Sequence, residues 1–551
     1  MVGYPENATA GTKYMETIPS SIGSRYLTKM SLGRSEHRNS LNSATADIDT
    51  IAVIFALVSI SPSSNLSTLR PKNTMTIPRK TKIIATIGPA CDNEESLKQM
   101  ITAGMDVARL NLSFGTGKDQ SDRVERIRAA ARAVNQQVAI MADTRGIEIR
   151  TGSLKEDFIE LCSGESFNLY SDERVGDKNG ISTTYSTLHQ EVETGVPILL
   201  DDGAMELEVV EISDSTIFCR VVHGGILRAN KGVNLPDTQL SMSAVSANKR
   251  QEVIDEMTFA AQHDIEYVAA SFIQTAEDIH QIREVLANLN AQVPIIAKIE
   301  NKAGVSNLEE IVEAADGIMV ARGDLGVELP LADVPSMQKR IIRSTVTKGK
   351  PVITATQMLS SMENNPKPTR AEASDVANAI LDGTSAVMLS GETAMGKYSV
   401  SAVLTMANLA QRAELSLEEY GYLQKIEPHP SNQITEAISQ ASITMAKHLK
   451  AAVIFSLSET GFSSRLVSKH RPSCSILALT ANKLVATRLS LNWGVVPMLY
   501  KQGLNDDEKI TFGIAQAKSM GYVLSGDIVI VTAGHRQKSG GTDLIRVLTV
   551  D

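Results

Sequence analysis

Short apolar runs alternate with longer amphipathic stretches from Lys80 onward. The runs are rich in β-branched residues, which is typical of strands, and apolar residues between them recur at helical spacing. We expect strands at Lys82–Ile87, Val107–Leu112, Val138–Met141, Tyr267–Ala270, Pro294–Ile299, Gly317–Val320, Pro351–Ala355 and Ala386–Leu389. We expect helices at Glu94–Ala103, Asp119–Val134, Ala276–Leu289 and Asn307–Ala315. Repeated strand–helix units of this kind predict an α/β fold, a closed (β/α)8 TIM barrel.

The stretch between the third and fourth runs is too long for a single crossover. It contains short alternating strands and turns, which predict an inserted β-barrel lid domain that excludes water from the barrel mouth. A fresh pattern begins near Asn432, with a helix at Ile434–Leu449 and strands at Ala452–Leu457, Ser475–Leu479 and Ile528–Thr532. We predict a barrel in residues 75–146 and 245–416, the lid in residues 147–244 and a C-terminal α/β domain in residues 430–551.

Residues 1–74 are rich in Ser, Thr and Asn and show no sustained period. Their one apolar run, Ile51–Ile60, is about half the length of the roughly 20 residues that a membrane span needs. It lacks the basic flank and the cleavage motif of a signal peptide. We expect a disordered extension or an upstream start, with Met75 a natural start; organelle targeting is the alternative. The protein is expected to be cytoplasmic and not to bind membranes.

The composition narrows the possible partners. The chain has 54 Lys and Arg, 63 Asp and Glu, a net charge of −9 and 4% aromatic residues. Neither a basic surface nor stacking platforms are plentiful, which argues against nucleic acid. The four cysteines are widely spaced and form no Cys/His cluster. This excludes a cysteine zinc site and makes a disulfide framework unexpected.

Polar side chains stand within or just after the predicted strands. In a (β/α)8 barrel the active site lies at the carboxyl ends of the strands, so these residues are candidates for catalysis. They are Arg109, Asn111, Ser113, Asp143, Thr144, Ser271, Lys298, Glu300, Arg322, Asp324, Thr356, Gln357, Ser390 and Glu392.

Two carboxylates and a lysine suggest phosphoryl transfer. Lys298 and Glu300 lie on the same side of an extended segment, because side-chain direction alternates along a strand. Glu300 and Asp324, at adjacent strand ends, could share a divalent cation such as Mg²⁺ (or Mn²⁺), which usually takes few carboxylates beside phosphates. Lys298 would then stabilise charge on a transferred phosphoryl group. A buried Lys–Glu ion pair is the alternative.

A second cluster consists of oxygens with little charge. Asn111, Ser113, Asp143 and the Thr144 carbonyl carry one formal charge together, which suits a monovalent cation better than a second Mg²⁺. In the turn 321–324, backbone N–H groups near a helix start could receive an anionic substrate carboxylate.

The strings that carry these residues resemble the pyruvate kinase family from about Lys80 to Val550. The resemblance rests on KTKIIATIGPA (80–90), RLNLSFG (109–115), DTRGIEIRTG (143–152), DDG (201–203), KGVNLP (231–236), IAKIEN (296–301), DGIMVARGDLGVE (316–328), TATQML (354–359) and PTRAEASDVANAILDGTSAVMLSGETA (368–394). No single string is specific, but the ordered set is.

The resemblance implies transfer of a phosphoryl group from phosphoenolpyruvate to ADP, through a loose transition state and an enolate that is protonated near Thr356. It implies that Lys298 stabilises the transferring group, that Arg109 contacts substrate phosphate and that Gly323, Asp324 and Thr356 line the phosphoenolpyruvate site. It implies Mg²⁺ at Glu300 and Asp324, K⁺ at Asn111, Ser113, Asp143 and Thr144, and nucleotide contacts at Arg150 and Lys231. Glu148 matches the potassium-dependent members. A homotetramer is also implied.

Four positions depart from the family's strings. Phe114 replaces a usual His, Arg145 and Ile147 replace Lys and Pro, and Gln274 replaces an Arg. None is an expected metal ligand or the phosphoryl-stabilising lysine, so they put ADP affinity and turnover in doubt more than the type of reaction.

A loop at residues 458–464, SETGFSS, opens a helix in the C-terminal part. Hydroxyls and backbone N–H groups in such a loop can cradle a phosphate. The loop resembles the family's pocket for a phosphorylated effector, with Ser458, Thr460, Gly461, Ser463 and Ser464 as candidates and residues 539–542 (SGGT) closing over it. An N-cap and turn without a ligand is the alternative.

Two competing functions remain open. A weakly active or inactive paralogue with an effector-binding role would explain the departures at Phe114, Arg145 and Gln274. A barrel lyase or aldolase would use the same carboxylate pair on an enolate, but the lid, Arg150 and Lys231 have no role in such an enzyme.

Overall fold

The computed structural model describes residues 78–146, 148–238, 240, 250–421, 433–534 and 541–551. The expectations for residues 1–74, for Ile147 and for Ser539 lie outside these ranges. The first barrel elements are β1 (Lys82–Thr86), α1 (Glu94–Ala103), β2 (Val107–Asn111), α2 (Gly117–Ala133) and β3 (Ala139–Asp143). A capping box between Thr116 and Asp119 begins α2, where each group satisfies a backbone donor that the helix leaves open.

The insertion follows β3 and is built from short strands. They are β4 (Ile149–Arg150), β5 (Ile159–Leu161), β6 (Ser166–Tyr170), β7 (Gly180–Ser182), β8 (Pro197–Leu200), β9 (Met205–Ser213), β10 (Thr216–His223), β11 (Gly225–Leu227) and β12 (Gly232–Asn234). Seven of them form a sheet in the order β4-β12-β8-β9-β10-β6-β7, and β5 pairs with β11. The sheet curls until its edges meet, because Gly152 N donates to Ser182 O over 2.7 Å and Thr184 N donates to Arg150 O over 2.8 Å.

The barrel resumes after the insertion. Its further elements are α3 (Arg250–Gln262), β13 (Tyr267–Ala270), α4 (Ala276–Asn288), β14 (Ile295–Ile299), α5 (Lys302–Ser306), α6 (Leu308–Ala314), β15 (Gly317–Ala321), α7 (Arg322–Glu328), α8 (Val334–Thr347), β16 (Val352–Ala355), α9 (Arg370–Asp382), β17 (Ala386–Leu389), α10 (Gly391–Ala394), α11 (Ser399–Glu414) and α12 (Leu417–Tyr420).

Eight parallel strands close the barrel in the order β1-β17-β16-β15-β14-β13-β3-β2. Each of the eight apolar runs contains or overlaps one of these strands, and the predicted TIM barrel is confirmed. The strands are buried on both faces, which explains their continuous apolar character. Within the described residues, no helix combines the length and apolarity that crossing a membrane would take.

The C-terminal part is a separate parallel sheet with one reversed edge. Its elements are α13 (Gln433–Leu449), β18 (Val453–Leu457), α14 (Phe462–Lys469), β19 (Ser475–Thr480), α15 (Lys483–Arg488), β20 (Val495–Leu499), α16 (Asp506–Ser519), β21 (Ile528–Ala533) and β22 (Leu544–Thr549). The strand order is β20-β19-β18-β21-β22, with β22 antiparallel to β21. Strands β20 and β22 were not predicted from the sequence.

One segment of this part closes the floor of the barrel, at the amino ends of the strands. Leu491 is fully buried among inward-facing barrel residues that include Ile84, Met141 and Ile296. Gly494 N donates to Lys80 O over 2.8 Å, and the Tyr267 hydroxyl donates to Arg488 O. The floor is therefore sealed by an apolar side chain and main-chain hydrogen bonds, and the opposite end remains for chemistry.

Candidate active site

The carboxyl ends of the strands collect most of the predicted residues. Arg109 lies in β2, Asp143 ends β3 and Lys298 lies in β14. Asp324 lies in the first turn of α7, the helix that directly follows β15. Thr356 follows β16. Because all eight strands are parallel, these side chains meet at one mouth.

Lys298 is held at this mouth by three acceptors. Its Nζ lies 2.9 Å from Glu300 Oε1 and 3.0 Å from Asp143 Oδ1. It also donates to Ser271 Oγ over 2.7 Å. Burial by itself lowers the pKa of a lysine, but the charges of Asp143 and Glu300 raise the pKa of Lys298 well above its usual range. Lys298 is thus a fixed cation rather than a proton donor near neutral pH.

Asp143 joins Lys298 to Arg109. Its second oxygen, Oδ2, accepts from Arg109 Nε over 2.7 Å, and an Nη of Arg109 donates to Thr86 Oγ1 over 3.0 Å. Burial raises the pKa of Asp143, but Arg109 and Lys298 together hold it below its usual range. The arrangement fixes two cations side by side, as binding of a phosphate requires.

Glu300 and Asp324 form the carboxylate pair that the sequence predicts. Phe272 N donates to Glu300 Oε2 over 2.6 Å and orients that carboxylate. Burial, and next the charge of Glu300, raise the pKa of Asp324 to about 7. Within the described residues, no group of three or more His, Cys, Asp or Glu is placed to hold a metal. Two carboxylates at one barrel mouth suit a divalent cation that takes its other ligands from substrate and water.

Thr356 sits on strained backbone at the end of β16. Thr356 and Gln357 have φ values of 66° and 53°, which non-glycine residues seldom adopt and which concentrate at functional sites. Thr356 Oγ1 accepts from Gly323 N over 2.7 Å. Arg322 supports the turn, because its Nη atoms donate to Thr356 O over 2.7 Å and to Asp375 Oδ2 over 2.6 Å. Arg322 was among the candidates predicted from the sequence, but this supporting role was not predicted.

The four oxygens of the predicted monovalent site lie at neighbouring strand ends. Asn111 and Asp143 are register partners on β2 and β3. Asn111 Oδ1 accepts from Ser113 N over 3.0 Å, and Thr144 O accepts from Ser271 Oγ over 2.7 Å. Both Asp143 oxygens contact cationic side chains, so its charge is shared with Arg109 and Lys298.

A cleft of about 510 Å³ separates the insertion from the barrel mouth. Arg150 and Lys231 line it, as does Asp324. Lys231 Nζ lies 2.8 Å from Asp201 Oδ1, and Arg150 pairs with Glu148 and donates to Asn230 O over 2.9 Å. On the insertion side of the cleft, Arg150 and Lys231 are each paired with a carboxylate, and on the barrel side the cleft reaches Asp324 of the carboxylate pair.

Two contacts cross this cleft. Asn234 Nδ2 donates to Glu328 Oε1 over 3.0 Å, and Lys302 Nζ lies 3.2 Å from Asp237 Oδ1. They tie the insertion to α7 and α5 of the barrel.

The departures from the family's strings lie at different distances from the cleft. Gln274 lines it, whereas Phe114 and Arg145 are not among its lining residues. Phe114 is 69% exposed. Arg145 N donates to Glu256 Oε1 over 3.0 Å, and its Nε donates to Leu112 O over 2.9 Å.

The loop at residues 458–464 is mostly buried. Ser463 Oγ is hydrogen-bonded to Thr542 Oγ1, and Ser464 Oγ donates to Ser456 Oγ over 3.0 Å. Gly461, with φ of 78°, precedes α14, and Thr460 is exposed. Two of the candidate hydroxyls are thus engaged within the domain, and the effector site at this loop stays a prediction.

Comparisons with known proteins agree with this geometry. Two family models match: the pyruvate kinase barrel domain over residues 78–403 and the pyruvate kinase alpha/beta domain over residues 436–548. A pyruvate kinase of Geobacillus stearothermophilus is 44% identical over 85% of this chain and 80% of its own length. A pyruvate kinase of Clostridium acetobutylicum is 41% identical over 86% of this chain and 100% of its own length. The chain belongs to the pyruvate kinase family.

Proposed function

We propose that this chain transfers the phosphoryl group of phosphoenolpyruvate to ADP and releases pyruvate and ATP, with Lys298 stabilising the group in transfer. The observation that carries the proposal is the triple contact of Lys298 Nζ with Asp143, Glu300 and Ser271. A loose transition state spreads charge over the transferring oxygens, so a cation fixed before the reaction lowers the barrier.

Arg109 binds the substrate phosphate in this proposal. Its guanidinium is held by Asp143 and Thr86 beside Lys298. Gly323, Asp324 and Thr356 line the remainder of the phosphoenolpyruvate site. Arg150 and Lys231, on the insertion side of the cleft, hold the nucleotide.

Glu300 and Asp324 would hold Mg²⁺ (or Mn²⁺), which supplies charge neutralisation for the phosphates when bound. The uncompensated Asp324 carboxylate, whose pKa is raised to about 7, supports this assignment. Asn111, Ser113, Asp143 and Thr144 would hold K⁺, and Glu148 is the residue that leads us to expect potassium dependence.

In this proposal Lys298 acts as a cation, since Asp143 and Glu300 raise its pKa. We place the protonation that converts the enolate to pyruvate near Thr356. The role of Thr356 is to hold the turn against Gly323 at this end of the barrel.

Steady-state pyruvate formation tests the proposal, with Mg²⁺ present and K⁺ present or absent. Turnover that needs K⁺ is the expected result. Turnover without K⁺ would overturn the monovalent site, and a folded protein that binds phosphoenolpyruvate without turnover would favour the inactive paralogue. The homotetramer and the phosphorylated effector remain predictions that the same preparation tests by light scattering and by activation curves.

A further inference from the structure

Ser271 has a buried hydroxyl at the centre of the site, and the mechanism above gives it no role. It follows β13 directly and is 3% exposed. Its Oγ lies 2.7 Å from Lys298 Nζ, 2.7 Å from Thr144 O and 3.4 Å from Asp143 Oδ1. The hydroxyl thus contacts groups at the ends of β3 and β14, the two strands that flank β13.

The direction of these hydrogen bonds follows from the chemistry of the partners. The Thr144 carbonyl can only accept, so the Ser271 hydroxyl donates its single proton to it over the shorter of the two available contacts. The Lys298 ammonium can only donate, so Ser271 Oγ accepts from it. Ser271 is therefore the neutral acceptor among the three that hold Lys298, the other two being carboxylates.

Close packing leaves Ser271 little freedom. Ser271 N donates to Thr144 Oγ1 over 3.0 Å, which fixes the backbone. A Cβ added at Gly146, where φ is 73°, would lie 2.6 Å from Ser271 Cβ and 2.6 Å from the Phe272 ring. The next residue, Phe272, donates its N–H to Glu300 Oε2. One short turn thus orients both Lys298 and Glu300.

We propose that Ser271 is a positioning residue that sets the location of Lys298 Nζ, an inference that rests on the proposed role of Lys298. The three N–H groups of the ammonium have one acceptor each. Without the hydroxyl, one N–H loses its partner and the ammonium is drawn toward the two carboxylates alone. Catalysis is sensitive to such displacement, because a fixed cation stabilises the transition state only when it lies next to the negative charge that develops there.

Ser271→Ala tests the proposal. We expect kcat to fall about ten- to hundredfold, the range for losing a hydrogen bond to a charged group. The KM for ADP should stay unchanged, because Arg150 and Lys231 lie on the insertion. Ser385→Ala is the matched control: Ser385 is also 3% exposed but lies just before β17, at the floor of the barrel. Its kcat should match the wild type.

A double-mutant comparison separates positioning from a structural role. A residue that acts through Lys298 should cost nothing further in the Lys298→Met background, measured as residual turnover at high enzyme concentration. The proposal is overturned if Ser271→Ala lowers turnover by the same factor in the Lys298→Met background as in the wild type. It is also overturned if the kcat of Ser271→Ala lies within twofold of the wild-type value. If Ser271→Ala does not fold, Ser271→Cys keeps a weak acceptor, and its kcat should fall less than tenfold; a larger loss in a folded protein counts against positioning. A fully active Lys298→Met would instead overturn the role of Lys298 itself.

Discussion

Each end of the barrel buries a lysine, and the two lysines are held in opposite ways. At the floor, Lys82 Nζ donates to Val495 O over 2.8 Å and has one carboxylate, Asp106, at 3.7 Å. At the mouth, Lys298 contacts two carboxylates within 3.0 Å. Burial lowers the pKa of Lys82, whereas Asp143 and Glu300 overcome burial and raise the pKa of Lys298.

The comparison shows that the burial of a lysine does not by itself identify the active site. The two lysines are 6% and 9% exposed, nearly the same. At the floor the cation donates to the carbonyl of Val495 and helps to dock the C-terminal sheet. At the mouth, the carboxylates outnumber the cations beside them, and a bound metal cation would use this excess.

Replacing each lysine in turn is the strongest test of the difference between the floor and the mouth of the barrel. Lys298→Met should lower kcat by about a thousandfold, the upper range for loss of one preorganised charge contact. Lys82→Met, the matched control, should keep kcat within about twofold, because the partners of Lys82, Val495 O and Asp106, lie at the floor and not at the mouth. Turnover by a coupled assay and folding by circular dichroism decide the outcome. Comparable losses from both variants would show that the two ends are not functionally distinct.

Substitution at the floor should have a large effect on the stability of the fold and little effect on activity. Leu491→Ala should lower the free energy of unfolding by about 2–5 kcal/mol, the range for truncating a fully buried leucine. The kcat of the folded enzyme should be retained. Leu499→Ala, at a site on β20 that is 41% exposed, is the control and should cost much less. Thermal and denaturant unfolding measure both; equal losses would mean that Leu491 does not seal the barrel.

Much of this contrast was predictable from the sequence. Barrel strands are buried on both faces, so each appears as a continuous apolar run, and the polar residue after each run marks the mouth. The third strand extends to Asp143, two residues beyond the predicted Met141, because the apolar signal stops before the strand does. The strand β22 escaped prediction because its residues are mostly exposed at a sheet edge.

The contacts within the site were harder to predict. Ser271 meets Lys298 across 27 residues of chain, and Arg322 meets Asp375 across 53. Spacing along one strand gives no signal for such pairs, since they depend on the register between strands. The floor shows the same limit, because the burial of Leu491 inside the barrel follows from docking of a later part of the chain.

A smaller effect should follow pH. Because the pKa of Asp324 is raised to about 7, its carboxyl is protonated below that pH and the proton competes with the metal. Apparent Mn²⁺ affinity should therefore fall by up to about tenfold for each pH unit below 7 and level off above it. Asp324→Asn should bind more weakly and lose this dependence. Calorimetric titration between pH 6 and 8.5 tests it; a flat wild-type profile would contradict the assignment.

The smallest effects are expected from substitutions at the positions where the chain departs from the family's strings. We expect the effect on the KM for ADP to be larger for a residue that lines the cleft than for one outside it. Gln274 lines the cleft, so Gln274→Arg adds a cation where the nucleotide is expected. This variant should lower the KM for ADP by about two- to fivefold, which is within the range for a partly exposed ion pair. Phe114 is 69% exposed and outside that lining, so Phe114→His should change the KM for ADP less. Initial rates at varied ADP compare the two. A larger gain from Phe114→His would mean that the insertion moves during turnover and carries the nucleotide toward residue 114 of the barrel, since closure of such lids accompanies catalysis.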